Sequence, residues 1–286
     1  MMAHPSTPMN TTRTEWEHRI DTLRSTTTQS NPEEVTNALI SAVKTNTPST
    51  QFGIFLSGGV DSSLLAFIAK SQGAQFTCYC AGLEGAEDPV WADKAARALG
   101  LTLKIKTFPL DEMESLFKRT AKLLPTPDVL SVGVGAVIVA AADLAKQDGV
   151  TTFLGGLGSE EIFAGYERHA KATDINDECW RGLRGRFVRD LTRDLPLAAA
   201  LGSDVRCPFL DDGLIITAMG VPGEKKLNAS HKKVVLREIA EQLGLPKEFA
   251  WRKKTAAQYG SRFDCALEKL AKRKGMSKQE YVAALS

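Results

Sequence analysis

The chain has almost no net charge to explain: 36 Lys and Arg stand against 34 Asp and Glu over 286 residues, a formal charge of +2. That balance excludes a globally basic binder of nucleic acid or membrane surfaces and leaves such a role only to a local patch. No CxxC pair occurs among the five cysteines, Cys78, Cys80, Cys179, Cys207 and Cys265. A disulfide framework or zinc site is therefore not expected, and the thiols read as reduced and packed, as in a cytoplasmic enzyme. No stretch reads as the run of about 18 to 20 apolar residues that crosses a bilayer, so no membrane partner is expected. Residues 1–9 are polar, with Pro5 and Pro8, and lack the charged-then-apolar order of a secretory signal.

What remains is a composition that is 43% hydrophobic, ample for a buried core. Residues 1–31 are rich in Thr, Ser, Asn and Pro, apart from a weakly apolar patch from Trp16 to Leu23, and predict a mobile arm with room for one short helix. A helix is expected to begin at Asn31-Pro32-Glu33-Glu34, where Asn caps, Pro suits the first turn and the acids face the positive helix end. Short apolar runs at 52–56, 76–81, 101–108 and 151–154 read as strands, with helical patterns at 62–71, 89–99, 111–124 and 134–146 between them. This alternation predicts an α/β fold, a parallel twisted sheet with helices on both faces, over residues 32–166. Residues 167–286 read as mostly helical, with a strongly basic helix at 181–195 and a final helix opened by the Ser277/Glu280 capping box.

The segment Ser57-Gly58-Gly59-Val60-Asp61-Ser62-Ser63 follows an apolar strand and opens a helix. Two glycines permit a sharp turn and close approach, and successive N–H groups then converge with the positive helix end into an anion site. The hydroxyls of Ser57, Ser62 and Ser63 add donors. Asp61 would repel a bare phosphate, so its presence makes sense if it holds Mg²⁺ bridging phosphate oxygens. No Gly-Lys-Ser/Thr follows, so this is not the nucleoside-triphosphatase P-loop.

The loop resembles the SGGxDS motif of the PP-loop ATP pyrophosphatases, enzymes that cleave ATP to AMP and pyrophosphate. Three later segments, in order, are similar to the synthetase domain of asparagine synthetases. Residues 155–166, GGLGSEEIFAGY, are similar to SGEGSDE-x-F-x-GY, and 205–211, VRCPFLD, to E-x-R-x-PFLD. Lys233 to Arg237 with Trp251-Arg252-Lys253-Lys254 are similar to K-x-x-LR and R-x-K. The resemblance covers roughly residues 33 to 263. It implies a PP-loop, adenine nucleotide α-hydrolase-like fold, ATP and Mg²⁺ as cofactors, and an adenine pocket lined by Leu56 and Ala81. It implies backbone contacts to the nucleotide from Gly155 and Gly156, and a metal held by Asp61 and Glu160, the latter in place of the usual Asp. It places Lys254 where negative charge develops on the α-phosphate and pyrophosphate, supported by Lys233 and Arg237, with Tyr166 at the substrate rim.

Two departures qualify it. Met1 is followed by Met2 rather than a cysteine nucleophile, and about 31 residues are too few for the preceding glutaminase domain, so ammonia, another amine or a separate glutaminase partner is expected to supply nitrogen. The first glutamate of GEGSDE is Leu157 here, which can neither take a proton nor bind an ammonium group. An apolar residue there, with Ala257-Gln258-Tyr259-Gly260-Ser261, resembles a branch of asparagine synthetase domain-containing proteins. The expected activity is a carbon–nitrogen ligase that adenylates a carboxylate or amide of a small-molecule acceptor. Two alternatives stay open. One is a tRNA-modifying enzyme using Arg181, Arg184, Arg186, Arg189 and Arg193 on phosphates; the other is an ATP-binding regulatory subunit with altered chemistry.

Overall fold

The computed structural model describes residues 11–253 and 255–285. Five strands, β1 (Phe52–Phe55), β2 (Phe76–Leu83), β3 (Leu103–Phe108), β4 (Thr152–Leu154) and β5 (Asp204–Arg206), form one sheet in the order β3-β2-β1-β4-β5. Every adjacent pair is parallel, so the fold is α/β. The central strands carry apolar residues on both faces because helices cover both. Phe52, Ile54, Cys78, Phe153 and Leu154 are fully buried, and Phe55 stacks on Phe153 with ring centroids 4.6 Å apart. The outer strand β3 instead exposes Lys104, Ile105 and Lys106, and lysines on an open edge discourage pairing with another chain.

From β1 the chain adds β2 and β3 on one side, then crosses back to add β4 and β5 on the other. The order reverses between β1 and β4, and loops leaving the carboxyl ends of strands at such a switch point splay apart and leave a crevice. Those two loops are 56–59 and 155–158.

Helices α1 (Arg13–Thr26), α2 (Pro32–Asn46), α3 (Val60–Ser71), α4 (Glu87–Leu99), α5 (Met113–Leu123) and α6 (Val129–Lys146) account for the first half. The Asn31 carboxamide accepts the N–H groups of Glu33 and Glu34, and Glu34 returns the contact to the Asn31 N–H, so α2 begins where its cap residues specify.

Three features differ from the sequence expectation. Residues 13–26, expected within a mobile arm, form a packed helix. Trp16, Ile20 and Leu23 recur at helical spacing and are buried, and the Trp16 indole N–H donates to the Leu183 carbonyl at 3.1 Å. The fifth strand falls in the stretch expected to be mostly helical; three residues are too few to show a period of two. Finally, α6 is long and apolar enough by length and composition to cross a membrane, although half of it is buried. Its Gly and Ala residues let it lie closely on β2, α5 and the helix Phe263–Arg273.

Candidate active site

The crevice at the switch point opens into a cavity of about 450 Å³. Its floor is the turn after β1. Leu56 extends the strand by one hydrogen bond, its N–H donating to the Tyr79 carbonyl at 3.0 Å. Gly58 then takes φ +73°, and a Cβ there would come within 2.5 Å of the Trp91 backbone, so both conformation and space require glycine. Gly59 caps α3 with no side-chain cap bond, leaving the positive helix end directed at the crevice. The Ser57 N–H donates to Ser62 Oγ at 3.2 Å, and the two hydroxyls lie 3.3 Å apart, which fixes the turn's curvature. Ser57, Gly59, Asp61 and Ser62 line the cavity. Ser63 is fully buried beneath the turn.

The second wall comes from the turn after β4. Gly155 spends its N–H on the Arg206 carbonyl at 2.9 Å, whereas Gly156, Leu157 and Glu160 line the cavity. Asp61 and Glu160 meet across it on one ammonium. Lys233 Nζ lies 2.9 and 2.7 Å from the two Asp61 oxygens, 2.6 Å from Glu160 Oε1 and 3.1 Å from Ser159 Oγ. Lys233 is 1% exposed and adopts φ +57°. A non-glycine residue in this region costs energy and persists only where its surroundings hold it. Gly165 seals the back of the cluster: a Cβ there would collide with the Glu160 carboxylate and Lys233.

Two carboxylates sharing one cation, beside a phosphate-shaped turn, fit the donor set of Mg²⁺, which commonly takes one or two carboxylates and completes its octahedron with water and phosphate oxygens. The Lys233 ammonium occupies the point where the two carboxylates converge. Among the described residues no cluster of three or more acidic, His or Cys ligands occurs.

Arg237 lines the cavity, yet its guanidinium is committed to backbone: Nε donates to the Lys232 carbonyl at 2.8 Å, and Nη1 to those of Ala250 and Arg252 at 2.6 and 3.0 Å. It fixes the strained Lys233 turn to the segment 250–252. That segment delivers Arg252, which carried no assigned role in the sequence reading. Arg252 donates to the Ser57 carbonyl at 2.5 Å, pairs with Asp88 at 3.0 Å and lies 4.9 Å over the Trp91 ring. It thus ties the turn 57–59 to α4. Its only sequence signal was its place in the Trp251-Arg252-Lys253-Lys254 run. Lys254 lies outside the described residues.

Apolar side chains line another part of the cavity: Leu56, Cys80 and Ala81 from the sheet, Val134, Val137 and Ile138 from α6. This suits the flat, weakly polar face of a purine. A further part of the lining is charged and includes Tyr166, Arg168, Arg186, Arg189, Asp190 and Arg193. Burial pushes the Tyr166 hydroxyl up to about 12, so it remains a hydrogen-bond donor at neutral pH. The basic run that suggested an open phosphate-binding face is instead divided. Arg181 and Arg184 pair outward with Asp177, Glu178, Glu17 and Asp21, whereas Arg186, Arg189 and Arg193 pair with Glu161, Asp190 and Asp194.

The family model for asparagine synthase matches residues 34–197 and 172–284. A Methanocaldococcus jannaschii protein assigned as asparagine synthetase (glutamine-hydrolysing) 1 is 32% identical over 79% of this chain and 49% of its own length. Asparagine synthetase 1 (glutamine-hydrolysing) of Arabidopsis thaliana is 31% identical over 76% of this chain and 40% of its own. Asparagine synthetase B of Escherichia coli is 29% identical over 77% and 43%. The chain spans less than half the length of each of these relatives.

Proposed function

This chain belongs to the asparagine synthase family, and on that premise we propose that it is an ATP-dependent ligase that splits ATP into AMP and pyrophosphate. In this reading the triphosphate rests on the turn Ser57–Gly59 and the start of α3, with the base against Leu56, Ala81 and α6. Asp61 and Glu160 would hold Mg²⁺, which supplies charge neutralisation to the triphosphate when bound. An acceptor carboxylate or amide oxygen attacks the α-phosphorus and pyrophosphate departs; ammonia or another amine then attacks the acyl carbon and AMP departs. Lys233 keeps a buried positive charge beside the phosphate turn, where it stabilises the negative charge that grows on the departing group. Lys254 has the same proposed role by its place in the motif. Arg237 and Arg252 are positioning residues: one holds the Lys233 turn, the other the Ser57 carbonyl.

Leu157 lines the same cavity and offers no base. The amine must therefore arrive neutral, or lose its proton to another group, which separates this chain from an enzyme with a glutamate at that position.

The observation that carries the reading is the meeting of Asp61 and Glu160 on Lys233 beside a phosphate-shaped turn. The test is acceptor-dependent pyrophosphate release from Mg-ATP over a panel of carboxylic acids with ammonium present. Release is expected with at least one acid, falling on the order of 10²-fold or more in Asp61→Asn, the scale of losing one preorganised charge-stabilising contact. Binding of Mg-ATP with no pyrophosphate from any acceptor would instead favour a nucleotide-binding module.

A further inference from the structure

The segment Ala257-Gln258-Tyr259-Gly260-Ser261 contains a short helix, Ala257–Gly260. Tyr259 is 59% exposed, whereas Gln258 is 8% exposed and lines the same cavity as Leu56, Ser57 and Gly59. Three contacts hold the segment in place. The Ser261 carbonyl accepts the Leu83 N–H at 2.8 Å, which joins it to the end of β2. Gly260 lies so close to the Asp88 carboxylate that an added Cβ would come within 2.3 Å of it. The Gln258 stem lies beside Gly133 of α6, where an added Cβ would stand 3.4 Å from the Gln258 Cβ. Gln258 therefore reaches the cavity from β2 and α6, the elements that supply Ala81, Val134 and Val137 to its apolar wall. The charged wall around Tyr166 comes from a different stretch of chain. Among the described residues the Gln258 carboxamide has no hydrogen-bond partner, although little of the residue reaches solvent. Polar groups in such settings are normally satisfied by protein, water or ligand.

We propose that Gln258 is a specificity-determining residue that reads the base of the nucleotide. A carboxamide offers an acceptor and a donor side by side in one plane. Adenine presents the complementary pair on one edge, its amino group and N7, whereas guanine presents two acceptors there, O6 and N7. The Gln258 oxygen accepts from the adenine amino group while its N–H donates to the ring nitrogen. Whichever way the amide is turned, guanine leaves the carboxamide oxygen against an acceptor. The apolar side chains around it hold a purine by contact but cannot tell one edge from another. The assignment rests on the reading that ATP binds in this cavity, and not on the ligase chemistry.

The test measures equilibrium binding of three magnesium nucleotides to the full chain: ATP, GTP and purine riboside triphosphate, which lacks the amino group. Wild type is compared with Gln258→Met, which keeps an unbranched stem, and with Gln258→Ala, which adds no new group to the wall. Wild type is expected to bind ATP about tenfold or more tighter than either other nucleotide, the scale of one bidentate pair. In the variants the advantage of ATP over purine riboside triphosphate should largely vanish, while that analogue binds them much as it binds wild type. Either variant that still binds the analogue decides the matter. An undiminished preference for ATP in the variants, or no preference in wild type, overturns the proposal and leaves ATP binding intact. Loss of the analogue from both variants assigns Gln258 to the shape of the wall and overturns it as well. If none of the three nucleotides binds wild type, the nucleotide reading fails and takes the proposal with it.

Discussion

Lys233 sits between two carboxylates separated from it by 172 and 73 positions in the chain. It is 1% exposed, so removing its charge leaves Asp61 and Glu160 facing each other without the ammonium they share. Breaking a buried ion pair from one side typically costs about 3–5 kcal/mol, and the partial exposure of Asp61, 17%, places this case toward the lower end. Lys233→Met is therefore expected to lower the melting temperature of the metal-free protein. Added Mg²⁺ should then raise that temperature more in the variant than in the wild type, because the ion fills the role the ammonium has lost. A differential scanning fluorimetry titration reads both; an equal Mg²⁺ shift in the two proteins would argue against a shared cation position.

His169 gives a pH prediction of opposite origin. Burial, with help from the Arg168 charge, pushes its imidazole down to about 4, while in the unfolded chain it titrates near 6.5. Between those values the unfolded state binds more protons, so stability is lost as pH falls from about 6.5 towards 4, by roughly 3 kcal/mol in all. Urea midpoints for wild type and His169→Gln across this window should converge as pH falls; parallel curves would contradict a buried neutral histidine.

Much of the site was legible at this scale, and the rest was not for identifiable reasons. The turn 57–63 with Asp61 could be read locally, as a strand, a turn and a helix start, whereas Glu160 and the turn 155–158 were reached through the family resemblance. The meeting of Asp61, Glu160 and Lys233 is a product of the fold, beyond reach of spacing alone. The inward arginines had a visible signal that was passed over: Asp190 and Asp194 are interleaved with Arg189 and Arg193, the mark of a self-neutralising cluster rather than an open basic face.

Among elements, α1 shows where composition misled. Thr, Ser and Pro dominate residues 1–31, yet Trp16, Ile20 and Leu23 mark one helical face and Thr12 with Glu15 forms a capping box. Local pattern outweighed average composition because burying an indole with its N–H satisfied stabilises far more than polar flanks cost. Trp16→Ala is expected to destabilise the protein by about 3–5 kcal/mol, read as a fall in urea midpoint. A change below about 1 kcal/mol would mean that α1 contributes little to the fold. The strands β1 and β2 were readable as apolar runs, whereas β5 has only three residues and is defined by its pairing with β4. The helix α6 combines membrane-like composition with a role as a packed wall: Val134, Val137 and Ile138 line the cavity, and small residues let the rest approach the sheet.

At the scale of the molecule, the strand order decides where chemistry can occur. Reversal between β1 and β4 brings the turn 56–59 and the turn 155–158 to one crevice, and the segments around Lys233 and Arg252 close over it. The apolar wall, the charged centre and the arginine-lined wall share one cavity. The most direct test of this account follows the fate of ATP labelled in its α-phosphate, incubated with Mg²⁺, ammonium and the carboxylate panel and resolved by product. The account predicts labelled AMP in step with pyrophosphate, lost in Asp61→Asn; labelled ADP with inorganic phosphate, or AMP formation undiminished in Asp61→Asn, would contradict it.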